Sequence, residues 1–412
     1  MQLKKITVIT AIFTFLAIFS HAQTGKIECL WPNAEDAVMY ELEIATVAVN
    51  KDIPAMQKQV VYTTTSIYTP GVQLPLSLFE GQVLKKLYFR ARPLDLDKNP
   101  VGPFSKPKVL NEMSLNPSKP TPTALYTDRP LPLYPVYSWI PVEGAAKYEI
   151  EITDQRPESP NGTEPSKYRI RSYSLQQQGF DFYDPEPLIN EGIYYWRVLA
   201  YDKDNQPIGL YSDPVLLQVK TGSYEWATFG DSITHGGGAI SNPPSDGRFD
   251  YSTYLPYEVK NLGKSGDTAE TLEERFDQEV LPFKPKYLLI MGGSNSLRGG
   301  TSASDVIESL SAISKKCQDN NIRPIFLTLP PINPERIQRV FNEPTVSNWK
   351  TELAKVNAFI KKQPDYVDIY PSLVGEQGLL PEKYAQDGLH LDISGKKIIG
   401  RKVSDYIKEH SL

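Results

Sequence analysis

Three residues whose types fit nucleophilic catalysis lie near the two ends of one segment: Ser232, Asp387 and His390. Ser232 stands in Thr228-Phe229-Gly230-Asp231-Ser232-Ile233-Thr234. There an apolar, strand-like run, Trp226-Ala227-Thr228-Phe229, breaks at a glycine and presents an acid and a serine. A strand that stops at glycine and offers a serine on the next turn is one way to aim a hydroxyl out of a sheet. That hydroxyl is inert at neutral pH until a base takes its proton, and imidazole titrates in the useful range. In Asp387-Gly388-Leu389-His390 the aspartate precedes the histidine by three residues and can turn back to hold its ring N–H. Nucleophile, base and orienting acid together are the equipment for acyl transfer.

The other candidates are few. The histidines number four: His21, His235, His390 and His410. His21 falls in a leader-like stretch and His410 close to the end of the chain. A histidine-based zinc site would therefore depend on Asp and Glu for most of its ligands. Neither a metal nor a cofactor is expected. A histidine base must be His235 or His390. His235 reads either as a loop residue or as part of the site lining, and Arg298 either as a solvated loop charge or as a ligand contact. The run Gly236-Gly237-Gly238 is followed by no Lys-Ser/Thr, so it is not a phosphate loop. It reads as a loop that leaves the cleft open.

The elements that must position these residues divide the 412-residue chain, which is too long for one ordinary domain. A hydrophobic content of 40% with 23% charged residues fits a globular protein with real cores. A net charge of −5 and the lack of a dense basic run give no reason to expect nucleic acid. Residues 1–22 read as a secretory signal. Lys4 and Lys5 precede an apolar core at 6–19, and Ser20-His21-Ala22 offers a cleavage site. The core is shorter than the roughly 20 residues a bilayer-spanning helix needs. The expected protein is thus secreted, periplasmic or exposed at the cell surface, with no integral membrane segment once the signal is removed. The cysteines, Cys29 and Cys317, fall in different predicted domains, so no disulfide is expected between them.

Residues 23–115 and 123–220 read as two copies of one pattern. Trp31 and Tyr40 match Trp139 and Tyr148 at a common offset. Tyr88-Phe89-Arg90-Ala91-Arg92 and the closing Ser105-Lys106-Pro107 match Tyr195-Trp196-Arg197-Val198-Leu199 and Ser212-Asp213-Pro214 at an offset one residue shorter. A repeat of this length means a duplicated domain. Each copy alternates apolar and polar residues as half-buried antiparallel strands do. Tyr40, Leu42 and Ile44 should face one core, and Tyr148, Ile150 and Ile152 the other. The pattern resembles fibronectin type III modules, which are all-β sandwiches. Residues 116–122, Asn-Pro-Ser-Lys-Pro-Thr-Pro, read as a stiff linker. That makes the first module the better candidate for a separately oriented spacer or glycan-binding unit.

From residue 221 strand-like runs at 225–229, 287–291, 324–329 and 366–369 alternate with helical ones at 305–320, 347–361 and 394–408. Such alternation implies βαβ units and a parallel sheet covered by helices. Ser232 and Asn295 each follow a predicted strand directly, which puts both at the carboxyl edge of the sheet. All the chemical residues lie after Gly222, so residues from about 219 onward are expected to fold and hydrolyse a small ester alone.

In this segment four blocks occur in order: Gly230-Asp231-Ser232-Ile233-Thr234, Asn261-Leu262-Gly263-Lys264-Ser265-Gly266, Gly293-Ser294-Asn295, and Asp387-Gly388-Leu389-His390. They resemble the nucleophile, glycine, asparagine and acid–base blocks of the SGNH (GDSL) hydrolases, secreted esterases and acyl hydrolases. The resemblance implies a flavodoxin-like three-layer α/β domain at 221–412 behind two β-sandwich modules. It also implies an oxyanion hole made by the backbone N–H groups of Ser232 and Gly263 and the side-chain amide of Asn295. Ser296 stands where the family commonly has Asp. The expected activity is hydrolysis of short acyl esters, such as acetyl groups, on a small molecule or a polysaccharide. A lipase or lysophospholipase is the alternative within the enzyme class. A binding or adhesion protein with an inert α/β domain is the alternative outside it. The polar loop Ser241-Asn242-Pro243-Pro244-Ser245-Asp246-Gly247-Arg248 speaks against a trough for long acyl chains. The pattern assigns no oligomeric state.

Overall fold

The computed structural model describes residues 26–49, 59–110, 114–115, 118–127, 129–176, 179–222 and 224–412. The leader at 1–22 and the first two residues of the Pro-rich segment lie outside the described residues. Strands β1 (Lys26–Leu30), β2 (Met39–Ala45), β3 (Val60–Ile67), β4 (Gly71–Pro75), β5 (Tyr88–Leu94), β6 (Lys108–Val109) and β7 (Ser114–Leu115) form the first unit. Their sheets run β4-β1-β7 and β3-β2-β5-β6. The second unit comprises β8 (Thr121–Pro122), β9 (Val136–Ile140), β10 (Lys147–Thr153), β11 (Arg169–Leu175), β12 (Asp181–Tyr183), β13 (Gly192–Tyr201), β14 (Pro207–Ile208) and β15 (Val215–Val219). Its sheets run β12-β9-β8 and β11-β10-β13-β14, with β15 also on β13. The N-terminal region is thus mostly strands, and the last two residues of the Pro-rich segment pair with β9.

The internal repeat is repeated contact by contact. Trp31 packs on Tyr40 with ring centroids 5.5 Å apart, and Trp139 on Tyr148 at 5.0 Å. The Tyr40 hydroxyl accepts from Ala34 N at 2.9 Å, and the Tyr148 hydroxyl from Val142 N at 2.8 Å. Buried Arg90 pairs with Glu43 across the sheet, as buried Arg197 does with Glu151. Each guanidinium is also covered by a ring, Phe104 at 4.0 Å and Tyr211 at 3.8 Å. The apolar alternation buries Tyr40, Leu42 and Ile44 in one core and Tyr148, Ile150 and Ile152 in the other.

The remaining chain builds one parallel sheet from β16 (Trp226–Gly230), β17 (Val259–Asn261), β18 (Tyr287–Met291), β19 (Arg323–Leu327) and β20 (Tyr366–Val367). Its order is β17-β16-β18-β19-β20 and every pairing is parallel. The chain adds β17 on one side of β16, then crosses to the other side for β18. This is the flavodoxin-like order, whose ligand crevice lies where the direction reverses. β18, Tyr-Leu-Leu-Ile-Met, is buried throughout, as a strand covered on both faces must be.

Helices α1 (Ser232–His235), α2 (Ala269–Glu279), α3 (Ser294–Gly299), α4 (Ala303–Asp319), α5 (Pro334–Phe341), α6 (Trp349–Ile360), α7 (Tyr370–Leu373) and α8 (Ile393–Glu409) complete the domain. α4 buries Val306, Leu310, Ile313 and Cys317 along one stripe and is capped by Ser302, whose side chain accepts from Asp305 N. α2 and α6 flank α4, while α8 packs against the turns at 247–249 and 251–254.

The units pack on one another, which corrects the expected spacer and puts the self-sufficiency of residues from about 219 onward to the test. The first unit is no freely oriented spacer. Val38, Met39 and Leu94 pack on Ala239, Asn242 Nδ2 donates to Ala37 O at 3.1 Å, and Gln386 Nε2 donates to Asp36 O at 3.2 Å. The second unit enters the α/β domain itself. Leu133 and Tyr134 belong to the core built around β16 and β18. Leu133 N donates to Asn261 O at 2.9 Å, extending the backbone bonding beyond β17. Lys260 Nζ donates to Leu131 O at 2.7 Å, and Arg129 pairs with Asp250 at 2.7 Å with both side chains buried. Removing one partner of a buried ion pair costs about 3–5 kcal/mol, and each kcal/mol lowers Tm by roughly 2–4 °C in a domain of this size. A chain starting near Val219 should therefore melt about 6–20 °C below one starting at Ser118. Calorimetry on the two truncations checks this; equal melting temperatures would restore the self-contained domain.

Candidate active site

The turn after β16 presents the serine. Asp231 caps α1, its Oδ1 accepting from Ile233 N at 3.0 Å, and Ser232 is the first helical residue. Burial pushes the Asp231 carboxyl up to about 6. Lys396 of α8 donates to Ile233 O at 2.7 Å and ties that helix to the serine turn. Its amine is wholly buried and desolvation pulls it down to about 8, against the attraction of Asp250, Asp231, Asp392 and Asp387.

The acid and the base come from the loop before α8. His390 Nε2 lies 3.0 Å from Ser232 Oγ, and His390 Nδ1 lies 3.0 Å from Asp387 Oδ2. The other oxygen, Asp387 Oδ1, accepts from Leu389 N and His390 N, both at 2.8 Å. The carboxylate thus fixes its own loop and the ring with separate oxygens, and it is fully buried. Gly388 makes the turn possible. Its φ is +81°, and a Cβ there would meet Arg336 Cβ and Asn333 O at 2.7 Å. Phe341 meets the His390 ring edge to face at 5.8 Å.

Asn295, one residue into α3, donates from Nδ2 to Asp267 O at 2.9 Å, which leaves its second amide hydrogen available. Arg298 Nε donates to Asn295 Oδ1 at 3.3 Å, and Arg298 also pairs with Glu343 at 2.6 Å. Arg298 therefore orients the amide, with its charge already matched. Ser296, in the position where Asp was expected, is buried, and its Oγ accepts from Ala269 N at the start of α2 at 2.9 Å.

Two expected residues have other work. Gly263 N donates to Asn261 Oδ1 at 2.8 Å, so it is not free to meet an oxyanion. Its lack of a side chain serves packing, since a Cβ would lie 2.3 Å from His235 N. Three residues on, Gly266 has φ +89°, open space where a Cβ would be, and an exposed position. Among the described residues neither Gly266 N nor Ser232 N has a hydrogen-bond partner. Sequence reasoning missed Gly266 although it stands in the quoted block; the signal was the second glycine of that block. His235 does not line a substrate site. It is 1% exposed, with Nε2 on Tyr134 O at 2.7 Å and Nδ1 on Ser265 Oγ at 2.9 Å. Among the described residues no group of His, Cys, Asp and Glu could hold a metal ion, and no helix is long and apolar enough to cross a membrane. Both cysteines are free and buried.

Two cavities lie at the junctions between units. One of about 340 Å³ is lined by Tyr68, Phe180, Asn33 and Asp246, and one of about 920 Å³ by Tyr126, Leu216 and Lys260. Neither is lined by Ser232, His390 or Asn295.

A serine at the end of β16, bonded through a histidine to a buried aspartate at the reversal of strand order, coincides with a sequence family. The model of the GDSL-like Lipase/Acylhydrolase family matches residues 228–398. This stretch is a GDSL-like acylhydrolase domain. Such a domain acts on esters. Among solved structures, the chain is similar to a lipase/acylhydrolase from Enterococcus faecalis (24% identity, covering 45% of this chain and 95% of that one, TM-score 0.36). It is also similar to a GDSL-like lipase from Bacteroides thetaiotaomicron (21%, 45% and 89%, 0.36). A third is a catalytic mutant of an acetylxylan esterase from Geobacillus stearothermophilus (21%, 46% and 96%, 0.35). No curated protein matches the chain.

Burial of His235 sets a pH dependence of stability. Desolvation holds its ring down at about 4, whereas an unfolded chain binds the proton from about pH 6.5. Between these values the unfolded state carries more protons, so this residue's contribution falls as pH drops from about 6.5 to about 4. Asp231 and Asp392, pushed up to about 6 and about 7 by burial, act with the opposite sign. The comparison must therefore be between wild type and His235→Gln, in which the aspartates cancel. In urea titrations the wild type's advantage should shrink steadily from pH 6.5 to 4. A constant gap would mean that His235 is not held neutral.

Proposed function

We propose that this chain is a secreted serine esterase that removes short acyl groups, foremost O-acetyl, from small molecules or polysaccharides by a Ser-His-Asp acyl-enzyme mechanism. The observation that carries the reading is the unbroken chain from Ser232 Oγ through both ring nitrogens of His390 to buried Asp387. Ser232 Oγ attacks the ester carbonyl carbon as His390 Nε2 takes its proton, and Asp387 stabilises the imidazolium without taking the proton itself. The carbonyl oxygen becomes an anion, met by the unpartnered N–H groups of Ser232 and Gly266 and by the second amide hydrogen of Asn295. Collapse expels the alcohol, protonated by His390. Water activated by the same ring then attacks the acyl-serine, releasing the acid and restoring the serine.

The short-acyl preference is supported by the two junction cavities, of about 340 and 920 Å³, lying away from Ser232. The leader-like residues 1–22 support export. The paired sheets and shared core of each N-terminal unit support fibronectin type III-like sandwiches. Ser232→Ala should cut kcat by about 10⁴-fold or more with the circular dichroism spectrum unchanged. Initial rates on a series of p-nitrophenyl esters should fall beyond butyrate. A folded Ser232→Ala variant with more than a tenth of the wild-type rate would unseat the nucleophile. Faster turnover of long chains than of acetate would favour the lipase reading.

A further inference from the structure

Tyr134 belongs by sequence to the second β-rich unit, yet it touches the candidate catalytic apparatus on two sides. Its backbone carbonyl accepts from His235 Nε2 at 2.7 Å, and the opposite ring nitrogen accepts from Ser265 Oγ at 2.9 Å and from Ser265 N at 3.3 Å. With Nε2 protonated and Nδ1 bare, every group in this relay is satisfied. Ser265 is the residue before Gly266. The hydroxyl of Tyr134 starts the second arm. It donates to Glu279 Oε1 at 2.6 Å, Glu279 Oε2 accepts from Arg275 at 2.8 Å, and Arg275 Nε donates to Asp267 Oδ2 at 2.6 Å. Asp267 is the residue after Gly266, and its carbonyl holds Asn295 Nδ2. The Tyr134 ring fills the space between the arms, with Lys264 Nζ 4.7 Å from its centroid.

We infer that Tyr134 is a positioning residue through which the second β-rich unit sets the loop at 263–267 and, with it, the oxyanion donors Gly266 and Asn295. Gly266 itself is exposed and anchored by nothing of its own, so its N–H points where its neighbours hold it. Both neighbours are linked to one residue from another unit, Asp267 being held also by Thr271 Oγ1 at 3.2 Å. Arg275 Nη2 also reaches Gly230 O at 3.2 Å, which places the start of the serine turn in the same network. A buried, fully paired network of this kind holds a single arrangement, because any shift strands a charge away from water.

The inference rests on the serine esterase reading and is tested in the full-length protein. Tyr134→Phe keeps the ring and the backbone carbonyl and removes the hydroxyl arm. Ser265→Ala weakens the other arm at a half-exposed position and serves where the first variant folds poorly. Each should lower kcat on p-nitrophenyl acetate by about tenfold, a fraction of the 10² to 10³ lost with an oxyanion donor, and leave KM within about twofold. The Tyr134→Phe loss should shrink to less than about threefold in an Asn295→Ala background, because the hydroxyl arm ends at the Asp267 carbonyl that holds this amide. Hydrogen exchange of a peptide spanning 263–267 should speed up in both variants. Equal losses from Tyr134→Phe with and without Asn295, or unchanged exchange of that peptide, overturn the inference. A wild-type protein without esterase activity would remove the functional reading alone, and the exchange comparison would still decide whether Tyr134 sets the loop.

Discussion

The hydrogen bond between His390 Nε2 and Ser232 Oγ joins residues 158 positions apart, and the rest of the α/β domain holds its two ends at 3.0 Å. One end is fixed by β16, whose parallel register with β17 and β18 sets where the chain leaves the sheet. The other is fixed by α8, whose Lys396 grips the serine turn from beneath. Between them the Asp387 loop closes on itself through Gly388. Proton transfer from a serine depends on this distance more than on any single pKa, because a base out of hydrogen-bond reach does no catalysis whatever its basicity.

Much of the supporting structure is polar and buried. Arg129–Asp250 and Arg275 with Asp267 and Glu279 are ion pairs largely removed from water. Pairs of this type add little net stability over well-packed apolar residues. They do penalise every alternative geometry, since a misplaced partner leaves a bare charge in the interior. That suits a site whose donors must stand ready before the substrate arrives. The same logic explains why two β-rich units are docked on an α/β domain rather than tethered to it. Asn261 shows it in one side chain: Nδ2 holds Thr234 O and Asp250, Oδ1 holds Gly263 N, and its backbone carbonyl takes Leu133 N.

What the sequence reveals follows from how local each signal is. Ser232, Asn295, Asp387 and His390 were legible because each sits beside a strand end or within a short block. α4, α6 and α8 were legible as helical runs. β17 was missed because Val-Lys-Asn is three residues long and carries its lysine buried, its charge held by a carbonyl from residue 131. α2 was missed because its charged sequence leaves Leu272 and Phe276 as the main apolar marks. The roles of Tyr134, His235 and Arg129 are set by contacts between units, and no periodicity within one segment reports them. Gly263 was taken for a donor from the resemblance of its block, and a glycine there suits close approach. The close approach is real, but it is to the His235 backbone.

The central claim is that Ser232 is a nucleophile activated by His390. Its most direct measurement is covalent capture: incubation of the full-length protein with a fluorophosphonate probe, then mass spectrometry of its peptides. The account predicts a single adduct on Ser232 that is lost in His390→Ala. An adduct on another residue, or no adduct on Ser232 in a folded protein, would contradict it.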